Sequence, residues 1–386
     1  MRFLHTSDWH IGRTLHGQNL ASEHRYFFSQ LYTYAHRYQP DWVLVAGDFF
    51  DRGVPSVEAV RLGSEVLNKL CEQVPVVVTA GNHDSAVRLG WLADQLGDRL
   101  TICADGMRSG EPLAVPGGRL YALPYLDPGE YRERFSDPDT GFEVERSHQA
   151  VADYALGLVR DDLQINPPAA GENVVVTAHL FATGGQASES ERNITVGGLD
   201  NVAAASFKIP GVDYVALGHL HRPQSISVSS DAAADEPTIR YSGSPLAFSF
   251  SESKDQKSVV LFDDGEVTEL PITPEHRLSR IRGHLDDLLQ MEEYRDDYLE
   301  ITVTDDIRPL NLNRQLRAYF NFPLSVHHEP EHQVLRVGDN DGPTYNQMSI
   351  PETVNDFFGR FTGGLSAIQQ EFLDGILNSE EMRKCE

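Results

Sequence analysis

The sequence predicts an α/β protein built on a parallel sheet, and two observations carry that prediction. Five short apolar runs, Phe3 to Thr6, Val43 to Ala46, Val76 to Thr79, Val174 to Thr177 and Tyr214 to Leu217, each lead into Asp, His or Asn. None alternates strictly, which is the pattern of strands buried on both faces. Segments of helical period separate the first three runs. Strand, crossover helix and strand in succession imply parallel pairing, because such crossovers are right-handed almost without exception.

The first run opens the chain in "FLHTSDWH" and delivers Asp8 and His10. Phe27, Phe28, Leu31, Tyr34, Ala35 and Tyr38 then form an apolar helical stripe. The second run, "VLVAGD", ends in Asp48; Ser56 is a helix cap, and Val60, Val66, Leu67 and Leu70 form the next stripe. The third, "VVVTAGNHD", delivers Asn82, His83 and Asp84. Residues 128–145 hold Gly, Pro and charge without a period and read as a surface loop. "VVVTAH" ends in His179, and "VALGHLH" in His219 and His221. "IRYSGSPLAFSF" and "KSVVLFDDGEVTELPI" read as antiparallel strands, with a turn at Asp263-Asp264-Gly265. In a parallel sheet all the C-terminal ends share one edge, where open α/β sheets bind ligands. Nine polar side chains scattered along the chain therefore converge.

At 386 residues the chain suggests more than one domain. Residues 1–273 form the α/β unit. Residues 274–340 outline a smaller α+β domain: a helix at Leu285 to Met291, a strand at Tyr298 to Val303, a helix at Leu312 to Tyr319, and strands at Leu324 to His328 and Gln333 to Val337. Residues 341–386 hold the rest of a linker, Gly338 to Gln347, and C-terminal helices. In these helices Val354, Phe357, Phe358 and Phe361, then Leu365, Ile368, Phe372 and Ile376, fall at helical spacing.

The chain begins inside its first strand and has no apolar run long enough to span a bilayer, so a cytosolic protein is expected. Cys71, Cys103 and Cys385 are far apart and odd in number, which implies free thiols; no C-x-x-C suggests zinc. A net charge of -26 is adverse to holding nucleic acid, whose phosphates demand positive charge. Arginine outnumbers lysine heavily. A base-composition bias and a salt-rich cytoplasm both account for such a surface, and neither concerns fold. No GxxxxGK[ST] occurs, so the chain has no P-loop.

Asp, His and Asn together suit a borderline cation such as Mn, Fe or Zn, whereas a cage for Mg or Ca would use oxygen alone. There are more candidate ligands than one ion takes. Two ions sharing a carboxylate would use most of them, and such pairs clamp the attacking and leaving oxygens of a phosphoester displacement. Asp48, ending the second strand, is the natural bridge.

Together "SDWH", "GDFFDRG", "GNHD", "TAHL" and "GHLH" resemble, in the right order, the motifs of the calcineurin-like metallophosphoesterases, whose core is a layered αββα sheet arrangement. "MRFLHTSDWHIGRTLHG", "AGDFFDRGVPS", "GNHDS", "ALGHLHRPQ" and "YSGSPLAFSFSE" look like the SbcD family, the nuclease subunits of SbcCD DNA-repair exonucleases. The smaller domain then corresponds to a capping domain. The resemblance implies that Asp8, His10, Asp48 and His221 hold one Mn, and Asp48, Asn82, His179 and His219 the other, with Mg, Fe or Zn as alternatives. His83 would be the catalytic imidazole facing the scissile phosphate, its ring oriented by Asp84. DNA ends and hairpins would be the substrates, with 3′ to 5′ exonuclease and single-strand endonuclease activity. An SbcC-type coiled-coil ATPase would be gripped by the C-terminal helices, with a homodimer inside a heterotetramer, cytoplasmic and nucleoid-associated.

Other residues near the motifs have plainer readings. His5, inside the first run, reads as a hydrogen-bonded core histidine. Arg52 suits either a phosphate contact or a structural ion pair. Arg13 and Arg222 are further candidates for substrate binding; with His16, Arg88, Lys254 and Lys257 they line either a DNA groove or solvated loops. Two other functions compete: hydrolysis of small phosphoesters or phosphoproteins on the same fold, and a scaffold that binds DNA ends without cutting.

Overall fold

A computed structural model describes residues 1–91, 93–191, 201–227 and 236–331, and isolated tail positions such as Phe358 and Ile368. The chain divides into two units, residues 1–304 with 309–328 and residues 305–308 with 329–386; both sheets and the smaller domain belong to the first. The expected strand at Gln333 to Val337, the linker, and Val354, Phe357, Phe361, Leu365, Phe372 and Ile376 lie outside the described residues. No helix among the described residues is long and apolar enough to cross a membrane.

All five predicted runs are strands, but they belong to two sheets and not one. The first sheet has the order Glu266–Pro271, Ser258–Asp263, Arg2–Thr6, Trp42–Ala46, Val76–Thr79, Leu100–Cys103. The second runs Gln224–Ile226, Thr238–Tyr241, Tyr214–Gly218, Asn173–His179, Gly118–Leu123, Leu113–Val115. Arg2–Thr6, Trp42–Ala46 and Val76–Thr79 pair in parallel, as do Asn173–His179 and Tyr214–Gly218. The expectation of one parallel sheet failed because an apolar residue on both faces of a strand has the same signature whether the second face meets a helix or another sheet. Along Trp42–Ala46, alternate side chains enter different cores. Val43 and Val45 meet the helices Ala21–Tyr38 and Val57–Gln73. Trp42, Leu44 and Ala46 meet Val175, Tyr214 and Ala216 of the other sheet. The helix His148–Ile165 covers the outer face of the second sheet, completing an αββα stack.

Local chemistry sets the element ends. Ser56 caps its helix by accepting the Ala59 N–H. The Asp264-Gly265 turn has positive φ at both residues, as a tight hairpin between Ser258–Asp263 and Glu266–Pro271 requires. Thr238–Tyr241, expected to be antiparallel, pairs in parallel with Tyr214–Gly218 and antiparallel with Gln224–Ile226. Residues 128–145 are not all loop: Pro128–Phe135 is a helix, capped by Asp127 with proline in its first turn, burying Tyr131 and Phe135. Its two buried aromatics are too few to register as a period.

The smaller domain is a parallel sheet of Leu278–Gly283, Tyr298–Val303 and Phe322–His328, with helices Leu285–Leu288 and Leu312–Tyr319. Its first strand was not read from the sequence. The helix expected to reach Met291 stops at Leu288. Glu23 of the first long helix pairs with His276 Nδ1 at 2.6 Å beside this sheet. Cys71 and Cys103 are free thiols, and Cys385 lies outside the described residues.

Candidate metal centre

The C-terminal strand ends of the two sheets meet. After Arg2–Thr6 the chain turns through Ser7 to His10 and is zipped to the turn after Trp42–Ala46: Asp8 N–H donates to Gly47 O at 3.0 Å and His10 N–H to Asp48 O at 2.9 Å. Trp9, fully buried among Phe27, Phe28 and Phe49, nails this turn into the helix-side core. Asp8 and His10 on either side of it consequently point away, into the site. Asp8, His10, Asp48 and His219 all hold positive φ. Such backbone costs roughly 1–3 kcal/mol per residue and persists where the surroundings over-determine it.

Glycine is required where the sheets touch. A Cβ on Gly47 would lie 2.0 Å from His179 Nδ1, and one on Gly81 would lie 2.1 Å from Asp48 Oδ1. The glycines of "AGD" and "GNHD" thus admit a histidine from the opposite sheet and the central carboxylate.

Asp48 Oδ2 stands 3.5 Å from His10 Nε2 and 3.4 Å from His179 Nε2. On one side, Asp8, His10 and His221 bring their donor atoms within 4.8 Å of one another, with His10 Nε2 and His221 Nε2 3.1 Å apart. On the other, Asn82 Oδ1 is 3.0 Å from His179 Nε2 and 3.2 Å from His219 Nδ1. Ligand atoms about 2.1 Å from a metal sit about 3 Å from each other, so these spacings match the edges of two coordination shells. The residues fit a pair of cations. His179 Nδ1–H donates to Ala46 O at 3.0 Å, which turns Nε2 toward Asp48.

Burial and neighbouring charges shift these groups in opposite directions. Burial alone would raise Asp48, but His179 and His10 hold it well below the usual carboxylate range. Burial raises Asp8. Burial opposes a charge on His179, yet Asp48 lifts it to about 9, while burial pushes His10 and His219 well down.

His83 is half-buried beside His10 and Asp48, its ring 4.6 Å from that of His10. Its Nδ1 lies 2.8 Å from the Asp51 carbonyl, and its N–H donates to Asp48 Oδ1. The expectation that Asp84 orients this ring is corrected. The Asp84 carboxylate instead accepts the N–H groups of Phe49, Phe50 and Gly81, clamping the two turns together, and the ring is oriented by a backbone carbonyl. Burial, then the charge of Asp48, raises Asp84.

Of the arginines, Arg13 is pinned by the Ser190 carbonyl at 2.7 Å and Asp51 at 3.3 Å over the Phe248 ring, and Arg222 by Asp255 and Gln186. Arg52 is 78% exposed, with Asp51 at 3.6 Å. Lys257 is buried, with its ammonium against Glu252 at 2.6 Å. His5 is a core histidine, its Nδ1 3.0 Å from Tyr214 Oη. Sequence reasoning missed Ser7, Ser190, Glu191 and Glu252, which hold Asp8 and His221 from behind.

Residues 274–359 match SbcD_C, the type 5 capsule protein repressor C-terminal domain, and together with the match of the larger domain this supports an SbcD-type nuclease subunit. Two solved structures align with the chain. TT1561 of Thermus thermophilus is 9% identical, with a TM-score of 0.40 over 70% of this chain and 99% of that one. A dimetal phosphatase from Danio rerio is 12% identical, with a TM-score of 0.40 over 71% and 99%. Neither score bears on function. Residues 1–223, more than half of the chain and every one of the candidate ligands, match the calcineurin-like phosphoesterases, and the chain belongs to that family.

Proposed function

We propose that this chain hydrolyses phosphodiester bonds in DNA as the nuclease subunit of an SbcCD-type complex, with a pair of Mn ions. The observation that carries the reading is Asp48, whose one oxygen faces two groups of ligand-type side chains at 3.5 and 3.4 Å. Asp8, His10, Asp48 and His221 would hold one ion, and Asp48, Asn82, His179 and His219 the other. Bound there, the ions would supply positive charge to the oxygens of the reacting phosphoester. The rest is done by the chain. His83, its Nδ1–H committed to the Asp51 carbonyl, turns Nε2 to the substrate, and as an imidazolium carrying a second proton there it gives that proton to the leaving oxygen or stabilises the transition state. The strained turns keep the ligands in place before substrate arrives, and Arg52 contacts a substrate phosphate.

The domains at 274–340 and 341–386 serve the complex, the last by gripping an SbcC-type ATPase that supplies ATP-dependent cutting of duplex ends. Exposed Val57, Val60, Val87 and Trp91 support a homodimer through helices of the larger domain. The decisive experiment incubates the purified chain and Mn with a hairpin-ended duplex beside a chromogenic phosphomonoester. Cleavage of DNA is the expected result. Cleavage of the monoester alone means a small-phosphoester enzyme, and binding without cleavage a scaffold.

A further inference from the structure

Behind His221 runs a chain of buried side chains drawn from separate stretches of sequence. His221 Nδ1 lies 2.5 Å from Ser190 Oγ, and Ser190 Oγ donates to Glu252 Oε1 at 2.5 Å. Lys257 Nζ donates to Glu252 Oε2 at 2.6 Å and to the His221 carbonyl at 2.8 Å. Ser190, Glu252 and Lys257 are 8%, 1% and 6% exposed. Three more donors, Ser188 Oγ, Ser249 Oγ and Phe248 N–H, also point at Glu252 Oε1.

The direction of this chain follows from its last member. An ionised carboxylate accepts and never donates, so Ser190 commits its single O–H to Glu252 and meets His221 with a lone pair. The proton between Ser190 and His221 then sits on Nδ1. Nε2 is left unprotonated, and it is Nε2 that faces His10 Nε2 at 3.1 Å inside the site.

We propose that Glu252, acting through Ser190 and neutralised by Lys257, is the positioning residue that fixes His221 as an Nε2 ligand of one ion. The inference rests on the two-ion reading and goes beyond it, since none of these three residues touches the ion or the substrate. A carboxylate behind a ligating histidine is a general arrangement; a serine between the two makes the tautomer reversible. Glu252→Gln would set an amide N–H against Ser190 Oγ, free the serine to donate to Nδ1, and move the imidazole proton onto Nε2, where it blocks the ion.

The test is calorimetric titration of Mn into the chelator-stripped full chain, for wild type, Ser190→Ala, Ser190→Thr and Glu252→Gln. Wild type should take up two ions. In Ser190→Ala and Glu252→Gln one site should weaken about 10–100-fold and the other should not move, while Ser190→Thr, which keeps the hydroxyl, retains both. If Glu252→Gln fails to fold, Ser190→Ala decides, because it leaves the Glu252 and Lys257 pair intact. Variants that bind both ions as tightly as wild type, or lose both together, or a threonine variant as weak as alanine, overturn the relay alone. A wild type that takes up no ion overturns the two-ion reading and the relay with it.

Discussion

The two halves of the metal centre are held by different material. On the side of Asn82, His179 and His219, the His179 ring is held by main chain: it rests on the Ala46 carbonyl, and Gly47 and Gly81 clear the space around it and Asp48. On the side of Asp8, His10 and His221 it is side chain: Ser7 on Asp8, Ser190 and Glu252 behind His221, and Arg13 fixing the Ser190 carbonyl. A carbonyl contact survives substitution of the residue that bears it, since every residue has a carbonyl. Side-chain support can be switched off one residue at a time. The second half is therefore the adjustable one.

Asp48 belongs to both halves, and removing it should have the largest effect. Asp48→Ala should abolish one ion and weaken the other, with activity below detection, whereas His10→Ala should chiefly affect one. Metal counts on the purified variants check this, and equal single-ion losses would sink the shared carboxylate. His83 belongs to neither half. His83→Gln should keep both ions yet lose about 10²–10⁴-fold in turnover, as for a general acid. Loss of metal together with activity would make it a ligand.

The same contrast explains what the sequence revealed. The candidate ligands were legible because each follows closely on an apolar run, so a strand end and a polar residue sit within a few positions. Ser190 and Glu252 were not, because each lies at least 30 residues from His221 and only the fold brings them to it. The second sheet was hidden for a related reason: Leu44 facing a sheet and Val45 facing a helix are equally apolar. Asp84 was assigned to the His83 ring by the resemblance of "GNHD" to the family motif. Its carboxylate turned instead to three N–H groups that only tertiary structure supplies.

Beneath both halves, His5 on the strand leading to Asp8 bonds Tyr214 on the strand leading to His219. Burial, then the charge of Arg240, lowers His5 to about 3. The unfolded chain takes up this proton near its ordinary value, about 6.5. Since the unfolded state binds more protons between these limits, the stability is whole above about pH 6.5 and lost as pH falls toward 3. Buried His24, lowered mainly by desolvation, adds in the same sense. Thermal melts in chelator should fall across this window by a few kcal/mol at most, and His5→Asn should flatten part of the slope. Because the platform serves both halves, metal should be lost from both at once on acidification. Sequential loss of one ion and then the other would show that the halves, and not the platform, give way first.

The smallest expected effect separates substrate contact from support of the adjustable half. Arg13 and Arg222 are already committed to internal partners, so releasing either to a phosphate would break existing bonds. Arg52 is 78% exposed and loses little on reaching outward. An exposed arginine gripping one phosphate contributes about 1 kcal/mol, so Arg52→Ala should raise KM for DNA by up to about tenfold with kcat and metal content unchanged. The dependence of binding on salt should fall by about one phosphate contact. Asp51 supplies the competing outcome. Its carboxylate lies 3.6 Å from Arg52 and 3.7 Å from His10 Nδ1, so an arginine whose role is to hold Asp51 acts on the adjustable half. In that case Arg52→Ala would weaken one ion and leave the salt dependence as it was, and Arg52 would join Ser190 and Glu252 as support.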